Sequence, residues 1–340
     1  MLRKNRQSTF GYLAVIVFLL LIPLWLKHQY YLHVLVIMFM FSIPALGLRL
    51  IWRTGHVSFA QAGFMAIGGY TSSILAKFLG FNSWLALILG GILTAIIAVA
   101  IGIPTLRLKS SYFFLVTYAM GEVIRLTFLY LWTPVFGGAI GITGVPRPDP
   151  IAIPGIFRLA FLTKGSFYYL VLFFLFVTVL VMHRIDKSRI GATLQAIRDA
   201  EDLAKAVGIP TMRHRVFAFA TACFFAGIAG GFYAQYHSQV SPLSFTNIVS
   251  MEIFAFVVVG GGGHVLGPIL GTIMLKGIGE GVRGVGPYEI IVSGILMMLV
   301  MIFMPEGMLG VPKAIAALFR KRIKTPESSL EVTSEPAARN

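Results

Sequence analysis

The chain has 340 residues, 57% of them apolar and 12% charged, against about 45–50% and about 25% in soluble globular proteins. A mean hydropathy of +0.84 is too high for one apolar core in a soluble domain and points to an all-α polytopic membrane protein, with room for roughly eight to ten spans of about 20 residues. The formal net charge of +15 does not indicate nucleic acid, because Lys and Arg fall mostly in short turns between apolar stretches rather than on a basic stripe interleaved with aromatics.

The N-terminus reads Arg3, Lys4, Arg6 and then an apolar run from Phe10 to Leu26. No small-residue cleavage site follows, so it is expected to be an uncleaved first helix. Further apolar segments are Tyr30–Ile51, Phe59–Leu79, Ser83–Leu106, Ser111–Trp132, Ser166–His183, His214–His237, Ile248–Gly263, Leu266–Val282 and Tyr288–Met304. The eighth and ninth are short and interrupted by Gly, as broken helices or a re-entrant hairpin would be. A single transmembrane domain over 1–319 is expected, with a disordered tail at 320–340 that has no apolar period.

Orientation follows from the cations. With the N-terminus inside, 20 of the 28 Lys and Arg lie on the cytoplasmic side, seven lie outside and Arg125 is embedded. Arg49, Arg53, Arg107, Lys109, Arg184, Lys187 and Arg189 all sit close to segment ends, where this bias counts. Both termini are then cytoplasmic. The Gly- and Pro-rich connection 133–165 faces outward, with Asp149 read as turn chemistry, and the connection 186–213 faces inward.

The inward connection carries Ile190, Leu194, Ile197, Ala204 and Val207 at helical spacing, and Gly208 and Pro210 stop the helix. Its acidic residues Asp199, Glu201 and Asp202 lie mostly elsewhere on the cylinder. Two readings stand for such a helix: docking into a groove on a soluble partner, or lying on the lipid surface. Leu194, Ile197 and Val207 have no obvious core to enter between two spans.

Glu122 and Arg125 share a helix face in mid-segment. Ionisable groups at that depth are functional candidates by default, and helix-to-helix or mutual pairing is the general way a membrane tolerates them. Glu252 lies nearer the end of its segment. "GHVSFAQAGFMAIGGY" and "GGGGHVLGPILGT" mix Gly with apolar residues at membrane depth. Such runs either let helices approach closely or break helices to expose backbone groups at a midplane site. On the second reading Ser58 and Gln61 join Glu122, Arg125 and Glu252 as candidate pathway residues. No metal-ligand cluster and no G-x-S-x-G motif occurs, and lone Cys223 is a small core residue. No cofactor and no enzymatic activity are indicated.

Five stretches in order carry a resemblance: "GHVSFAQAGFMAIGGYTSSIL", "LRLKSSYFFLVTYAMGEVIR", "GGAIGITGVPRP", "RIGATLQAIRDAEDLAKAVGI" and "VVVGGGGHVLGPILGT". Over roughly residues 30–310 the chain resembles permeases of branched-chain amino-acid ABC importers, specifically the longer of the paired permeases. One departure is Ala60, where the family often has Gly. The resemblance implies a heterodimer with a second permease, two ATPase subunits and a periplasmic substrate-binding protein, a small-molecule substrate, and a place in the bacterial inner membrane. It also implies that 186–213 is the cytoplasmic coupling segment, with Leu194, Ile197, Asp199, Glu201, Ala204 and Gly208 as its contact residues. The chain lacks any G-x-x-x-x-G-K-[ST] loop, so a nucleotide site must come from another polypeptide. Other readings remain open at this stage: a proton-coupled secondary transporter titrating Glu122, an importer of urea, amides or small organic acids, and a membrane anchor that recruits a soluble complex through 186–213.

Overall fold

The computed structural model describes residues 19–23, 25, 28–153, 157–159, 161, 163–282, 292, 294, 295 and 298. The expected first span is described only at 19–23 and 25, and the expected tail and nearly all of Tyr288–Met304 lie outside the described residues. Within them the chain is predominantly helical: α1 Gln29–Trp52, α2 Gln61–Lys77, α3 Ser83–Thr105, α4 Ser110–Tyr130, α5 Thr133–Phe136, α6 Lys164–Lys187, α7 Arg189–Asp199, α8 Glu201–Ala206, α9 Thr211–His237, α10 Asn247–Gly260 and α11 Gly267–Val282. Six segments are long and apolar enough to cross a membrane: α1, α3, α4, α6, α9 and Pro242–Gly260. The reading of eight to ten spans is therefore matched only in part among the described residues: α2 and α11 are shorter than a full span there, and Phe10–Leu26 and Tyr288–Met304 lie largely outside them.

A set of buried helices forms the centre. α9 packs against α1, α2 and α3, and its glycines explain the close fit. A Cβ on Gly230 would stand 1.8 Å from the Met65 carbonyl oxygen, and one on Gly68 would stand 2.3 Å from the Cα of Gly227. No side chain larger than hydrogen fits between backbones that near, so the glycines are what permit α2 and α9 to meet. The packing reading of the first Gly-rich run holds here. The second run behaves likewise: a Cβ on Gly271 would meet the Phe256 carbonyl oxygen at 2.0 Å, and one on Gly260 would meet that of Gly267 at 1.9 Å. These approaches fold α10 and α11 into a tight hairpin.

One end of the bundle carries Arg49, Arg53, Asp186 and the turn at Gly261–Gly263. The other carries the long connection after α4, which is not wholly irregular. It contains β1 (Ile142–Thr143), paired antiparallel with β4 (Gln239–Val240), and a β2–β3 hairpin (Ile151–Ile153 with Phe157–Leu159). Asp149 is more than solvated turn chemistry: its Oδ2 accepts from the Ser83 amide at 2.8 Å, and its carbonyl accepts from Trp84 Nε1 at 3.0 Å. It satisfies the start of α3, where helix amides otherwise lack partners.

Candidate functional site

Two helices begin inside the bundle rather than at its ends. The extended stretch Gly55–Phe59 runs beside the first turns of α4: Ser110 Oγ donates to the Gly55 carbonyl at 2.8 Å, and the Phe59 amide donates to Thr117 Oγ1 at 3.1 Å. Thr117 and Gly121 lie roughly 10–17 Å along α4 from its Ser110 end, at 1.5 Å per residue. α2 therefore starts about a third to half of the way along α4. α10 comes from the opposite end and starts at the same depth, where Asn247 Nδ2 donates to the Tyr118 carbonyl at 3.4 Å.

The two N-termini meet at this junction. The Ala62 amide donates to Ser250 Oγ at 3.0 Å, and the Ala60 amide to Ser58 Oγ at 3.3 Å. A Cβ on Gly121 would lie 3.0 Å from Asn247 Oδ1 and 3.3 Å from the Phe59 carbonyl oxygen. A methyl at this position of α4 would be tight against both helix starts. Non-helical backbone at this depth is tolerated when protein covers it, and Ser58, Gln61 and Ser250 are fully buried. The first Gly-rich run thus contains a break before α2 as well as close helix packing. Gln61 is distinctive because neither Oε1 nor Nε2 has a hydrogen-bond partner among the described residues.

The charged candidates flank the junction as two closed pairs. Arg125 Nε lies 3.0 and 3.1 Å from the two Glu122 oxygens, and Nη2 also donates to Oε1. Glu122 remains 35% exposed on α4, whose flank is the least covered of the long helices. Glu252 pairs with Lys276 at 2.8 and 2.9 Å, and the Lys276 ammonium stands 4.7 Å over the Phe41 ring. The count of cations by side leaves Arg125 as the sole embedded one, and the structure adds Lys276. It lies well inside α11, because the α10–α11 hairpin brings it to Glu252.

The connection 186–213 departs from expectation in two ways. It forms two helices rather than one, broken at Ala200 in an extended conformation (φ −155°, ψ 85°). Its predicted partner-facing apolar residues are also mostly internal. Leu194, Ile197 and Ala204 are buried because α7 and α8 pack against the start of α9. The expectation that Leu194 and Ile197 have no core to enter is overturned. Val207 is the exception, 69% exposed beside Leu203 at 66%. The acidic residues divide too. Glu201 is held by Arg215 at 2.6 Å and Lys205 at 2.8 Å, Asp199 accepts from Gln195 Nε2 at 2.9 Å, and Asp202 is fully exposed. Gly208 takes the left-handed conformation (φ +82°) that ends α8.

Asp186 ties this connection to the bundle. Its Oδ2 lies 2.8 Å from Arg49 Nη2 and its Oδ1 lies 2.5 Å from Arg53 Nη1. Arg49, 1% exposed, also donates to the Gly263 carbonyl at 3.3 Å. The two arginines were legible as orientation signals, but their shared carboxylate was not, because Asp186 lies far away in sequence.

Residues 30–305 match the family described as "Branched-chain amino acid transport system / permease component". The chain is 31% identical over 287 residues to the high-affinity branched-chain amino acid transport system permease protein LivM of Escherichia coli K12, covering 79% of this chain and 67% of that one. It is 27% identical over 257 residues to a probable LivM of Methanocaldococcus jannaschii, covering 70% and 71%. With the LivH permease protein of Escherichia coli K12 it shares 24% identity over 300 residues, or 80% and 92% of the two chains. No solved structure matches it. On these matches the chain belongs to the branched-chain amino acid transport permease family.

Proposed function

We propose that this chain is one of two unlike permease subunits of an ATP-driven importer of branched-chain amino acids in the bacterial inner membrane, with both termini cytoplasmic. A periplasmic binding protein delivers substrate to the outer face, and two separate ATPase subunits drive the switch between outward- and inward-open packings. Similarity to both LivM and LivH supports a pair of related permeases.

The observation that carries the coupling reading is the attachment of 186–213. Salt bridges fix it to the bundle at Asp186 and Glu201, while Leu203, Val207 and Asp202 point away into open space. A segment anchored on one face and apolar on the other can take a push from a docked ATPase and pass it to α1, α6 and α9. The coupling surface is therefore assigned to Asp199, Asp202, Leu203, Val207 and Gly208, with Leu194, Ile197, Glu201 and Ala204 as its internal anchor.

The pathway is assigned to the junction of α2, α4 and α10, bounded by Ser58, Gln61, Glu122, Arg125 and Glu252. A half-exposed ion pair at this depth is costly against lipid, so the α4 face bearing Glu122 meets the second permease. Proton coupling through Glu122 is disfavoured because Arg125 already occupies both of its oxygens.

Vesicles with the second permease, ATPases and binding protein test the reading. ATP-dependent leucine uptake that needs this chain and resists a proton uncoupler is expected. Uptake abolished by the uncoupler at constant ATP would overturn ATP coupling, and uptake of urea or an amide in place of leucine would overturn the substrate. Unchanged uptake without this chain would leave only an anchoring role.

A further inference from the structure

We propose that the meeting point of α2 and α10 is the subsite for the α-carboxylate of a zwitterionic substrate, with the Gln61 amide as its side-chain ligand. The proposal rests on the amino-acid transport reading above and gives it an atomic location.

The charge of the junction favours an anion. Each helix N-terminus carries partial positive charge from its unpaired amides. Here two of them, on helices of 17 and 14 residues, converge at one depth from opposite ends of the bundle. The formal charges nearby are already spent, Glu122 on Arg125 and Glu252 on Lys276. Discontinuous helices whose N-termini face a midplane point are a way to hold a substrate carboxylate without a buried cation.

The unspent hydrogen-bonding capacity sits on Gln61. Thr117, Ser58 and Ser250 already accept from the amides of Phe59, Ala60 and Ala62, and the Asn247 side-chain amide donates to the Tyr118 carbonyl. Gln61 is fully buried with both polar atoms unpartnered among the described residues. A buried amide left so is destabilising, and it calls for a partner that is present for part of the cycle. An amide supplies donors on nitrogen and an acceptor on oxygen. Nε2 suits a carboxylate oxygen, and Oε1 can accept from the α-ammonium of the same molecule. The Phe59 ring, 4.6 Å from that of Phe114 and 4.9 Å from that of Phe254, supplies an apolar wall for an aliphatic side chain. Access follows when the α10–α11 hairpin parts from α2 at the Ser250 hydrogen bond and from α4 at the Asn247 hydrogen bond.

Two near-isosteres test this in vesicles carrying the complete transporter, with leucine as the probe. Gln61→Met removes the amide and keeps its volume. It is expected to assemble with the second permease, to melt no lower than wild type, and to lose at least tenfold of leucine uptake. Gln61→Glu places a carboxylate where one is to be bound, and an equal or greater loss at neutral pH is expected. Uptake within twofold of wild type in Gln61→Met overturns the subsite. Should that variant fail to assemble, uptake within twofold in Gln61→Glu overturns it instead. Wild-type vesicles that take up no amino acid overturn the transport reading itself, and the subsite with it. An unaffected Gln61 variant beside active wild type overturns the subsite alone.

Discussion

Asp186, at the end of α6, holds Arg49 at 2.8 Å and Arg53 at 2.5 Å. The Arg49 guanidinium is buried, and neither Nε nor Nη1 has another partner among the described residues. Removing the carboxylate would strand that charge, and breaking a buried pair costs about 3–5 kcal/mol. Asp186→Asn should therefore accumulate poorly and melt well below wild type, and Arg53→Gln, which leaves Arg49 paired, should melt closer to it. Thermal unfolding of the purified permease pair reads both.

Glycine substitutions should sort by the space each one has. Gly230→Ala places a methyl on the Met65 backbone, and overpacking of that kind costs about 1–3 kcal/mol or more. Gly279, in α11, has nothing among the described residues within 4 Å of its Cβ position, and Ala is favoured over Gly in a helix by about 1 kcal/mol. Gly279→Ala should accumulate like wild type, whereas Gly230→Ala should be depleted in membranes.

The coupling connection carries a pH-dependent tie. Hydrogen bonding from Arg215, with Lys205 adding to it, holds the Glu201 carboxyl at about 2 against the usual 4.5. A depressed acid contributes stability that is full above its unfolded pKa and is lost as pH falls through the folded one. Glu201→Gln should melt below wild type at neutral pH, and that gap should narrow steadily as pH falls from 4.5 towards 2. A gap constant across this window would mean that the pair contributes nothing.

Aspartate substitutions should separate the outer and inner faces of the same connection. Ile197→Asp buries a charge in the packing against α9 and should abolish accumulation. Leu203→Asp and Val207→Asp alter exposed positions, so the permease pair should form normally while ATPase co-purification and uptake fall. Burying one such side chain at a partner surface contributes on the order of 1.5–3 kcal/mol, which corresponds to more than tenfold in binding.

Exchanging Glu122 and Arg125 tests the α4 pair. Either single reversal places like charges on adjacent turns and should reduce assembly. The double exchange, Glu122→Arg with Arg125→Glu, restores opposite charges at the same spacing and should recover assembled protein. Recovery of assembly without recovery of uptake would place the pair in the pathway.

Much of this arrangement was legible in the chain itself. Apolar runs located α1, α3, α4, α6 and α9 because each is long enough to give an unbroken signal. Gly-rich stretches marked the breaks before α2 and between α10 and α11, since close backbone approach requires glycine wherever it occurs. Local pairs such as Glu122–Arg125 follow from helical spacing alone. What escaped was set by tertiary proximity: Lys276 beside Glu252, Asp186 beside Arg49, and the start of α9 beneath Leu194 and Ile197. The break at Ala200 also gave no local sign, because no Gly or Pro stands there. The pull of Arg215 on Glu201 across the break is visible only once α9 folds back.

Backbone-to-backbone contact leaves no compliant layer, so the glycine-zipped helices cannot shear past one another. α2, α3 and α9 form one stiff block, and the α10–α11 hairpin forms a second. At the seam between the blocks Ser250 accepts from the Ala62 amide, while Asn247 ties the hairpin to α4 and α1 packs along it. Any mechanical work delivered to this protein must then concentrate as rotation at that seam, with the Arg49–Gly263 bond as the lever arm joining the driven end to the hairpin.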